Sequence, residues 1–271
     1  MKQAKKYHIG FSREDLGQTP PVAALLCGDP DRTRRIALHF PGVVPGTVLS
    51  EKRGLFSGVC SLENGMPLLC ATSGMGASST SIVVNELVQV GIRIIIRVGT
   101  TGSIQDHIRA GSVLITKAAL CRQGASLDIA PVEYPAAADP FVTLAMVRSA
   151  RDLGVLAHLG ITASVDTFFE GQERTLTSAN PRLLRRLQGV TEEYRGLNIA
   201  NYEMECGTLL KMAGVYGFAA GCVCAVIDDR STGEEIDLSV KSRAENDAIR
   251  VALGALEVMD LGEVLAHCRG C

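Results

Sequence analysis

The sequence predicts an α/β fold in which a parallel or mixed sheet is covered by helices on both faces. Short apolar runs rich in β-branched residues alternate with amphipathic stretches along the chain. The composition, 46% hydrophobic and 21% charged over 271 residues, is that of a globular protein of a size that one α/β domain can reach. No linker, repeat or change of composition divides the chain, so we expect a single domain over residues 1–271.

Seven apolar runs predict the strands. The run IRIIIRV at 92–98 is rich in β-branched residues and predicts a central strand. The runs at 55–62 and 66–72 flank Glu63-Asn64-Gly65, an Asn-Gly signal that predicts a hairpin. The other predicted strands are 22–27, 112–120, 155–165 and 217–227.

Amphipathic stretches between these runs predict the helices. Pro30 follows Gly28-Asp29 and predicts a helix over about 30–39, because proline is favoured in the first helical turn. The stretch at 78–90 places Ile82, Leu87 and Val90 near one helical face. The remaining predicted helices are 140–153, 201–214 and about 243–266.

Composition excludes several classes of function. A net charge of −2 gives no basic surface for nucleic acid, and the longest apolar runs are too short for a membrane span. The first ten residues lack an apolar h-region, so we expect no export signal. The nine cysteines lie mostly in apolar runs, which predicts buried thiols in a reducing, cytoplasmic compartment.

One cysteine pattern could still carry chemistry. Cys268 and Cys271 have redox-like spacing, but no helix follows them to lower a thiol pKa, so we interpret them as a tail. No cluster of His and Cys has zinc-ligand spacing, and we expect no bound metal.

Ligands of open α/β sheets bind beyond the carboxyl ends of the strands, so the segments that follow the apolar runs are the candidate site. The segment at 28–32, GDPDR, can form an anion site from a glycine, a helix N-terminus and Arg32, or it can be a plain turn. The segment at 97–102, RVGTTG, begins with an arginine inside a buried strand, which needs an anion or a structural carboxylate. The segment at 72–76, TSGMG, suits a phosphate or a ribose.

Two further segments suit a nucleoside. In FFEGQER at 168–174, paired aromatics can stack on a ring while Gln172 and Arg174 match an imide edge, unless the loop simply packs inward. NYEME at 201–205 is predicted to open a helix, and its carboxylates can accept hydrogen bonds from hydroxyls or simply face the helix dipole. The chain has neither the Lys-Ser/Thr of a P-loop nor a GxGxxG segment, which argues against nucleoside triphosphates and NAD.

Taken in order, these segments resemble the nucleoside phosphorylase-I family, and its pyrimidine branch most closely, over about residues 7–255. The resemblance implies a three-layer αβα fold whose central mixed sheet is partly closed into a barrel. It also implies a homodimer with shared active sites, which can assemble further into a hexamer of three dimers. The segments that carry it are HIGFSREDL at 8–16, GDPDR at 28–32, TSGMGASSTSI at 72–82, RVGTTGSI at 97–104, ASLDIAPVEYPA at 125–136, ASVDTFFEGQER at 163–174 and NYEMECGTLL at 201–210.

The reaction implied by the resemblance is reversible phosphorolysis of uridine to uracil and ribose 1-phosphate, with deoxyuridine and thymidine as further candidate substrates. A pentosyltransferase of this kind serves pyrimidine salvage and uses phosphate as co-substrate without a cofactor. Phosphate held by cations attacks C1′ as positive charge develops on the sugar. Gln172 and Arg174 would stabilise the negative charge that develops on the base.

The resemblance also implies roles for individual residues. Arg97, Glu205, Gln172 and Arg174 are the expected catalytic set. Phosphate would be held by Gly28, Arg32, Arg97 and Thr100, with Arg53 (or its neighbour Lys52) supplied by the partner subunit. Ribose would be held by Thr100, Met204, Glu205 and a partner-supplied His8, and the base by Phe168, Gln172 and Arg174.

The sequence departs from the pyrimidine branch at two positions. Gly54 stands where that branch has a glutamate of a monovalent cation site between subunits, which leaves an interfacial ion open. Asp228 stands where an apolar residue is usual, at the position of the general acid of the purine branch. We expect Asp228 to pair with Arg174 or Arg230 and, with Ile227 and Arg230, to modify specificity.

Two alternatives remain. Asp228 leaves open a purine or broad-specificity nucleoside phosphorylase, although Gln172 and Arg174 favour a pyrimidine. A non-catalytic nucleoside-binding protein is the other, and the presence of Arg32, Arg97 and Glu205 argues against it.

Overall fold

The computed structural model describes residues 4–231 and 233–268, which form a nine-stranded mixed sheet flanked by helices. The sheet order is β2-β3-β4-β1-β5-β8-β7-β6-β9. The strands are β1 (Ala23–Cys27), β2 (Val43–Ser50), β3 (Ser57–Leu62), β4 (Pro67–Thr72), β5 (Ile94–Ser103), β6 (Val113–Arg122), β7 (Ala157–Val165), β8 (Ile199–Glu203) and β9 (Ala219–Asp229). The helices are α1 (Pro30–His39), α2 (Ala77–Gln89), α3 (Gly124–Leu127), α4 (Pro140–Asp152), α5 (Val190–Gly196), α6 (Cys206–Tyr216), α7 (Leu238–Val258) and α8 (Leu261–Ala266).

Part of the sheet closes into a five-stranded barrel, which confirms the expected fold class. The strand β5 pairs in parallel with β9 along most of its length, and Gly102 and Ser103 at its end pair with β8. The remaining pairs β8–β7, β7–β6 and β6–β9 complete the ring. The barrel therefore gathers the carboxyl ends of β5, β8 and β9 near one another.

Helices cover both sides of the sheet, as the alternation of apolar runs predicts. In β1, Ala23 and Leu25 pack in the cluster that contains residues of α1, α4 and α7. Ala24 and Leu26 point the other way, into the cluster that contains residues of α2 and α6. Because alternate side chains of a strand face opposite sides, a strand buried on both faces is apolar throughout.

The local signals at the first helix and the first hairpin are confirmed. Asp29 caps α1 by accepting a hydrogen bond from the Asp31 amide at 2.8 Å, and Pro30 occupies the first turn. The strands β3 and β4 pair antiparallel on either side of the turn at 63–65. The predicted strands at 22–27, 92–98, 112–120, 155–165 and 217–227 and the predicted helices at 78–90 and 140–153 are also confirmed to within a few residues, although β5 continues to Ser103.

The predicted helix over 201–214 is wrong in its first part. Residues 199–203 form β8, and α6 begins only at Cys206. Tertiary pairing decides the conformation, because Asn201 donates to Thr101 Oγ1 at 2.6 Å and accepts from Thr162 Oγ1 at 2.9 Å inside the barrel. A five-residue strand with a polar residue at its centre has no apolar run to reveal it.

Other boundaries also differ from prediction. The predicted helix at 243–266 begins earlier, at Leu238 behind the capping Asp237, and is interrupted between α7 and α8. The edge strand β2 and the short helix α5 have no counterpart in the prediction. Ile82 is 42% exposed, whereas Val83, Val84 and Leu87 form the buried face of α2.

The described cysteines are all free, and most are buried. Cys271, the second cysteine of the tail, lies outside the described residues. None of the helices within 4–231 and 233–268 is both long enough and apolar enough to cross a membrane.

Candidate active site

A cavity of about 470 Å³ opens at the carboxyl ends of β1, β5, β8 and β9. The structure brings together most of the site residues expected from the sequence, including two of the three expected specificity modifiers. Arg230, His8 and Arg53 are not in its wall. The expected residues that line it are Gly28, Arg32, Arg97, Thr100, Phe168, Gln172, Arg174, Met204, Glu205, Ile227 and Asp228.

Two buried arginines form one end of the cavity. Arg32, in the first turn of α1, donates to Glu245 Oε1 of α7 at 2.7 Å. Arg97, within β5, donates from Nε to Glu203 Oε2 at 3.1 Å. Arg32 Nε and Arg97 Nη1 are buried and have no hydrogen-bond partner among the described residues. Both guanidinium groups therefore retain donors for an anion.

Arg97 remains a cation in this buried position. Burial lowers the pKa of Arg97, but the nearby carboxylates of Glu205 and Glu203 outweigh burial and hold the pKa well above its ordinary value. The Nη2 atom of Arg97 forms an ion pair with Glu205 Oε2. One guanidinium is thus bound to two carboxylates and still has a free donor.

Glu203 is a structural organiser that the sequence interpretation missed. Its Oε2 accepts from the Glu205 and Cys206 amides, each at 2.8 Å, as well as from Arg97. Its Oε1 accepts from Ser164 Oγ. The helix predicted over 201–214 gives Glu203 only the role of a hydroxyl acceptor or a partner of the helix dipole, whereas the structure places it at the buried end of β8. An acidic residue at the end of a buried strand is the signal that could reveal the organising role.

Glu205 joins the cavity to the loop at 72–76. Its Oε1 accepts a hydrogen bond from the Gly76 amide at 2.5 Å. Gly76 has φ of +85°, a conformation that glycine adopts without strain. Burial raises the pKa of Glu205 above its ordinary value, and Glu203 adds to this effect, whereas Arg97 and the Gly76 amide oppose it.

Arg174 and Phe168 form the other part of the wall. The Arg174 guanidinium stacks on the Phe168 ring at 4.2 Å, and its Nη1 donates to the Glu234 carbonyl at 2.8 Å. Its Nε lies 3.4 Å from Gln172 Oε1, which is a long contact. Phe169 packs edge-on against Phe168 at 5.2 Å but does not line the cavity, so the structure places only one aromatic ring of the pair there.

Asp228 pairs with Arg174, which is one of the two partners expected for it. The contact joins Asp228 Oδ2 and Arg174 Nη2, and both side chains are buried. Burial raises the pKa of Asp228, although Arg174 and Arg230 act in the opposite direction. Arg230 instead donates from Nη1 to the Gln172 carbonyl at 3.0 Å and so supports the loop that carries Gln172 and Arg174.

His8 and Arg53 lie on the surface, outside the cavity of their own chain. His8 Nδ1 is 2.7 Å from Glu86 Oε1, and Glu86 Oε2 accepts from the His8 and Ile9 amides at 3.0 and 2.8 Å. Burial raises the pKa of Glu86, but these hydrogen bonds prevail and lower it. Exposed Arg53 donates to the Tyr7 hydroxyl at 3.2 Å, and Lys52 Nζ donates to the Tyr7 carbonyl. Tyr7, which precedes His8 in the chain, thus contacts Arg53, and both His8 and Arg53 are expected to act in the site of the partner subunit.

Glu203→Ala is expected to lower the free energy of unfolding by about 3–5 kcal/mol, because it removes one partner of a buried ion-pair network. Glu63→Ala, an exposed turn glutamate, should change it by less than about 0.5 kcal/mol. Chemical denaturation at one fixed protein concentration measures both. Equal effects for the two variants would contradict the organising role of Glu203.

Comparison with known proteins identifies the family of the chain. The model of the phosphorylase superfamily matches residues 22–257. The uridine phosphorylases of Salmonella typhimurium and Escherichia coli K12 are each 40% identical to this chain, over 255 and 256 residues, which is 94% of this chain and 98% of each relative. The uridine phosphorylase of Thermococcus kodakarensis is 37% identical over 262 residues, 95% of this chain and 88% of the relative. A family match of this extent shows that the chain belongs to the phosphorylase superfamily.

Proposed function

We propose that this chain is a uridine phosphorylase, a pentosyltransferase that converts uridine and phosphate reversibly to uracil and ribose 1-phosphate. The observation that carries the proposal is one cavity with two unlike ends. Arg32 and Arg97 offer unpartnered buried donors at one end, and Gln172 and Arg174 offer polar groups beside Phe168 at the other. The names of the similar proteins support the choice of uridine.

Phosphate binds at Arg32 and Arg97, with Gly28 and Thr100 beside it in the same wall. In a site of low dielectric constant, these charges attract an anion more strongly than they would in water. Gly28 favours a close approach of the loop at 72–76, because a Cβ at this position would lie 3.3 Å from the Gly74 carbonyl oxygen. The bound phosphate is positioned for attack on C1′ of the nucleoside.

Glu205 and Met204 bind the ribose. The Glu205 carboxylate is fixed by Arg97 and by the Gly76 amide, so it is oriented before the sugar arrives. Met204 supplies an apolar contact, and its backbone is fixed because its carbonyl accepts a hydrogen bond from Gln123 Nε2. Preorganised contacts of this kind reduce the entropy lost when the substrate is aligned.

Gln172 and Arg174 bind the imide edge of the uracil ring. As the glycosidic bond breaks, negative charge moves onto the base, and the Arg174 cation stabilises it. Phe168 holds the guanidinium by stacking on it. The reaction then needs only phosphate as co-substrate, since positioning and electrostatics lower the barrier and no protein nucleophile, metal or other cofactor takes part.

The ion pair of Asp228 favours a pyrimidine over a purine. A purine phosphorylase would use this carboxyl to protonate the leaving base, whereas here Asp228 Oδ2 is bound to the Arg174 guanidinium. Arg174 opposes the effect of burial on the pKa of Asp228 and so favours the ionised carboxylate, which has no proton to donate. The same arginine is placed to bind a pyrimidine edge beside Gln172.

We also infer that two copies of the chain share each active site, in a homodimer that can build a hexamer. His8 lines a separate surface recess with Ile82 and Glu86. Exposed apolar side chains lie in or next to this region, which is typical of a protein interface. They are Ile82, in the wall of the recess, and Leu127, next to Asp128 of that wall.

A substrate panel tests the proposed function. Pure protein is incubated with uridine, deoxyuridine, thymidine, inosine and adenosine, each with and without phosphate, and the products are separated by chromatography. We expect uridine to give uracil and ribose 1-phosphate only when phosphate is present. Cleavage without phosphate indicates a hydrolase, turnover of inosine alone contradicts the pyrimidine assignment, and binding without turnover supports a non-catalytic protein.

Mixed oligomers test the shared site. A His8→Ala/Arg53→Ala chain and a Glu205→Ala chain should each be nearly inactive. When they are co-expressed, a heterodimer contains one site with both defects and one site with neither. Random pairing therefore restores about a quarter of wild-type activity. Activity no higher than the mean of the two separate variants would show that each chain completes its own site.

A further inference from the structure

Asp228 is a buried carboxyl in the cavity wall, and only one of its two oxygens has a protein partner. Its side chain is 2% exposed, and Oδ2 pairs with Arg174 Nη2. Its Oδ1 has no hydrogen-bond partner among the described residues. The backbone of β5 packs closely against this carboxyl, because a Cβ at Gly102 would lie 3.1 Å from Asp228 Oδ2.

The groups around this ion pair hold Arg174 in place, and none of those described donates a hydrogen bond to Asp228 Oδ1. Arg174 is held on its other sides by the Glu234 carbonyl, by Gln172 and by the Phe168 ring. Arg230 donates to the Gln172 carbonyl and not to Asp228. The cavity wall beside Arg174 therefore contains a carboxyl group, that of Asp228, with one oxygen bound to Arg174 and the other without a described partner.

The chemistry of the pyrimidine ring indicates which atom of the base this carboxyl meets. The polar edge of uracil runs from the C2 carbonyl through N3–H to the C4 carbonyl. Beyond C2 lies N1, which carries the ribose, and beyond C4 lies C5. Asp228 adjoins Arg174, which in the proposed function binds this polar edge together with Gln172. When those two side chains take up N3–H and the carbonyl oxygens, the ring atom that remains for the free oxygen of Asp228 is C5.

We propose that Asp228 is a specificity-determining residue that rejects pyrimidine nucleosides carrying an alkyl group at C5 and accepts those carrying hydrogen or a hydrogen-bond donor there. This inference rests on the proposed uridine phosphorolysis. A methyl group at C5 covers the buried carboxyl and excludes water without donating a hydrogen bond, and an unsatisfied buried oxygen is costly. A hydroxyl at C5 supplies the missing donor.

The test compares kcat/KM for uridine, 5-methyluridine and 5-hydroxyuridine, which share the same ribose. The wild-type chain is expected to prefer uridine over 5-methyluridine by about tenfold or more, because the methylated base leaves a buried acceptor unpaired. It should accept 5-hydroxyuridine better than 5-methyluridine. The ratio of kcat/KM values, rather than either value alone, is the readout, because the ratio cancels any general loss of activity.

Two variants at this position locate the effect. Asp228→Val has a similar shape without polar atoms, and it should raise the ratio for 5-methyluridine over uridine about tenfold, even if both rates fall because Arg174 loses its partner. Asp228→Asn keeps an oxygen for Arg174 and should retain most of the wild-type selectivity. Asp229→Asn is the matched control, because Asp229 pairs with Arg109 outside the cavity and its substitution should leave the ratio unchanged.

The outcomes separate this inference from the proposed function. Turnover of uridine with equal kcat/KM for 5-methyluridine in the wild-type chain overturns the role of Asp228 alone, and it does so even if a variant fails to fold. A ratio that is the same in Asp228→Val and in the wild-type chain overturns it as well. Turnover of inosine with no turnover of any pyrimidine nucleoside overturns the proposed function itself.

Discussion

The ion-pair network around Arg97 is the constraint on which the cavity depends. One guanidinium from β5 binds Glu203 at the end of β8 and Glu205 at the start of α6. Burying three charges is costly, and a buried charge that loses its partner costs more still, so the strand ends and the start of the helix are held in one arrangement. Through Glu205 the same network reaches Gly76 and fixes the loop that precedes α2.

The network also explains how a chain of nearly neutral net charge can present a local cluster of cations, which the proposed function assigns to phosphate. Among the residues that the structure describes, none accepts a hydrogen bond from Arg97 Nη1 or Arg32 Nε, although carboxylates hold both side chains in place. Each of these two guanidinium groups is thus held by carboxylates through one or two of its nitrogen atoms, while another of its nitrogen atoms remains available for an anion. A second buried pair joins Arg174, in the loop after β7, to Asp228 of β9. In the proposed function, these two ion pairs serve two different parts of a nucleoside.

Much of the site could be predicted because strand ends are local features of a sequence. Gly28, Arg32 and Arg97 follow or end apolar runs, and the parallel pairing of β1 with β5 brings these ends together. Glu203 could not be predicted in the same way, because β8 is short and its conformation depends on hydrogen bonds to Thr101 and Thr162 across the barrel. The pairing of Asp228 with Arg174, 54 positions apart, was one of two alternatives until the fold placed them in contact.

The most direct test of the account is a crystal structure of this chain with phosphate and uracil bound. The account predicts phosphate oxygens within about 3 Å of Arg32 Nε and Arg97 Nη1, and the polar edge of uracil on Gln172 and Arg174. Phosphate bound away from both arginines, or a base whose polar edge faces away from Gln172 and Arg174, would contradict it.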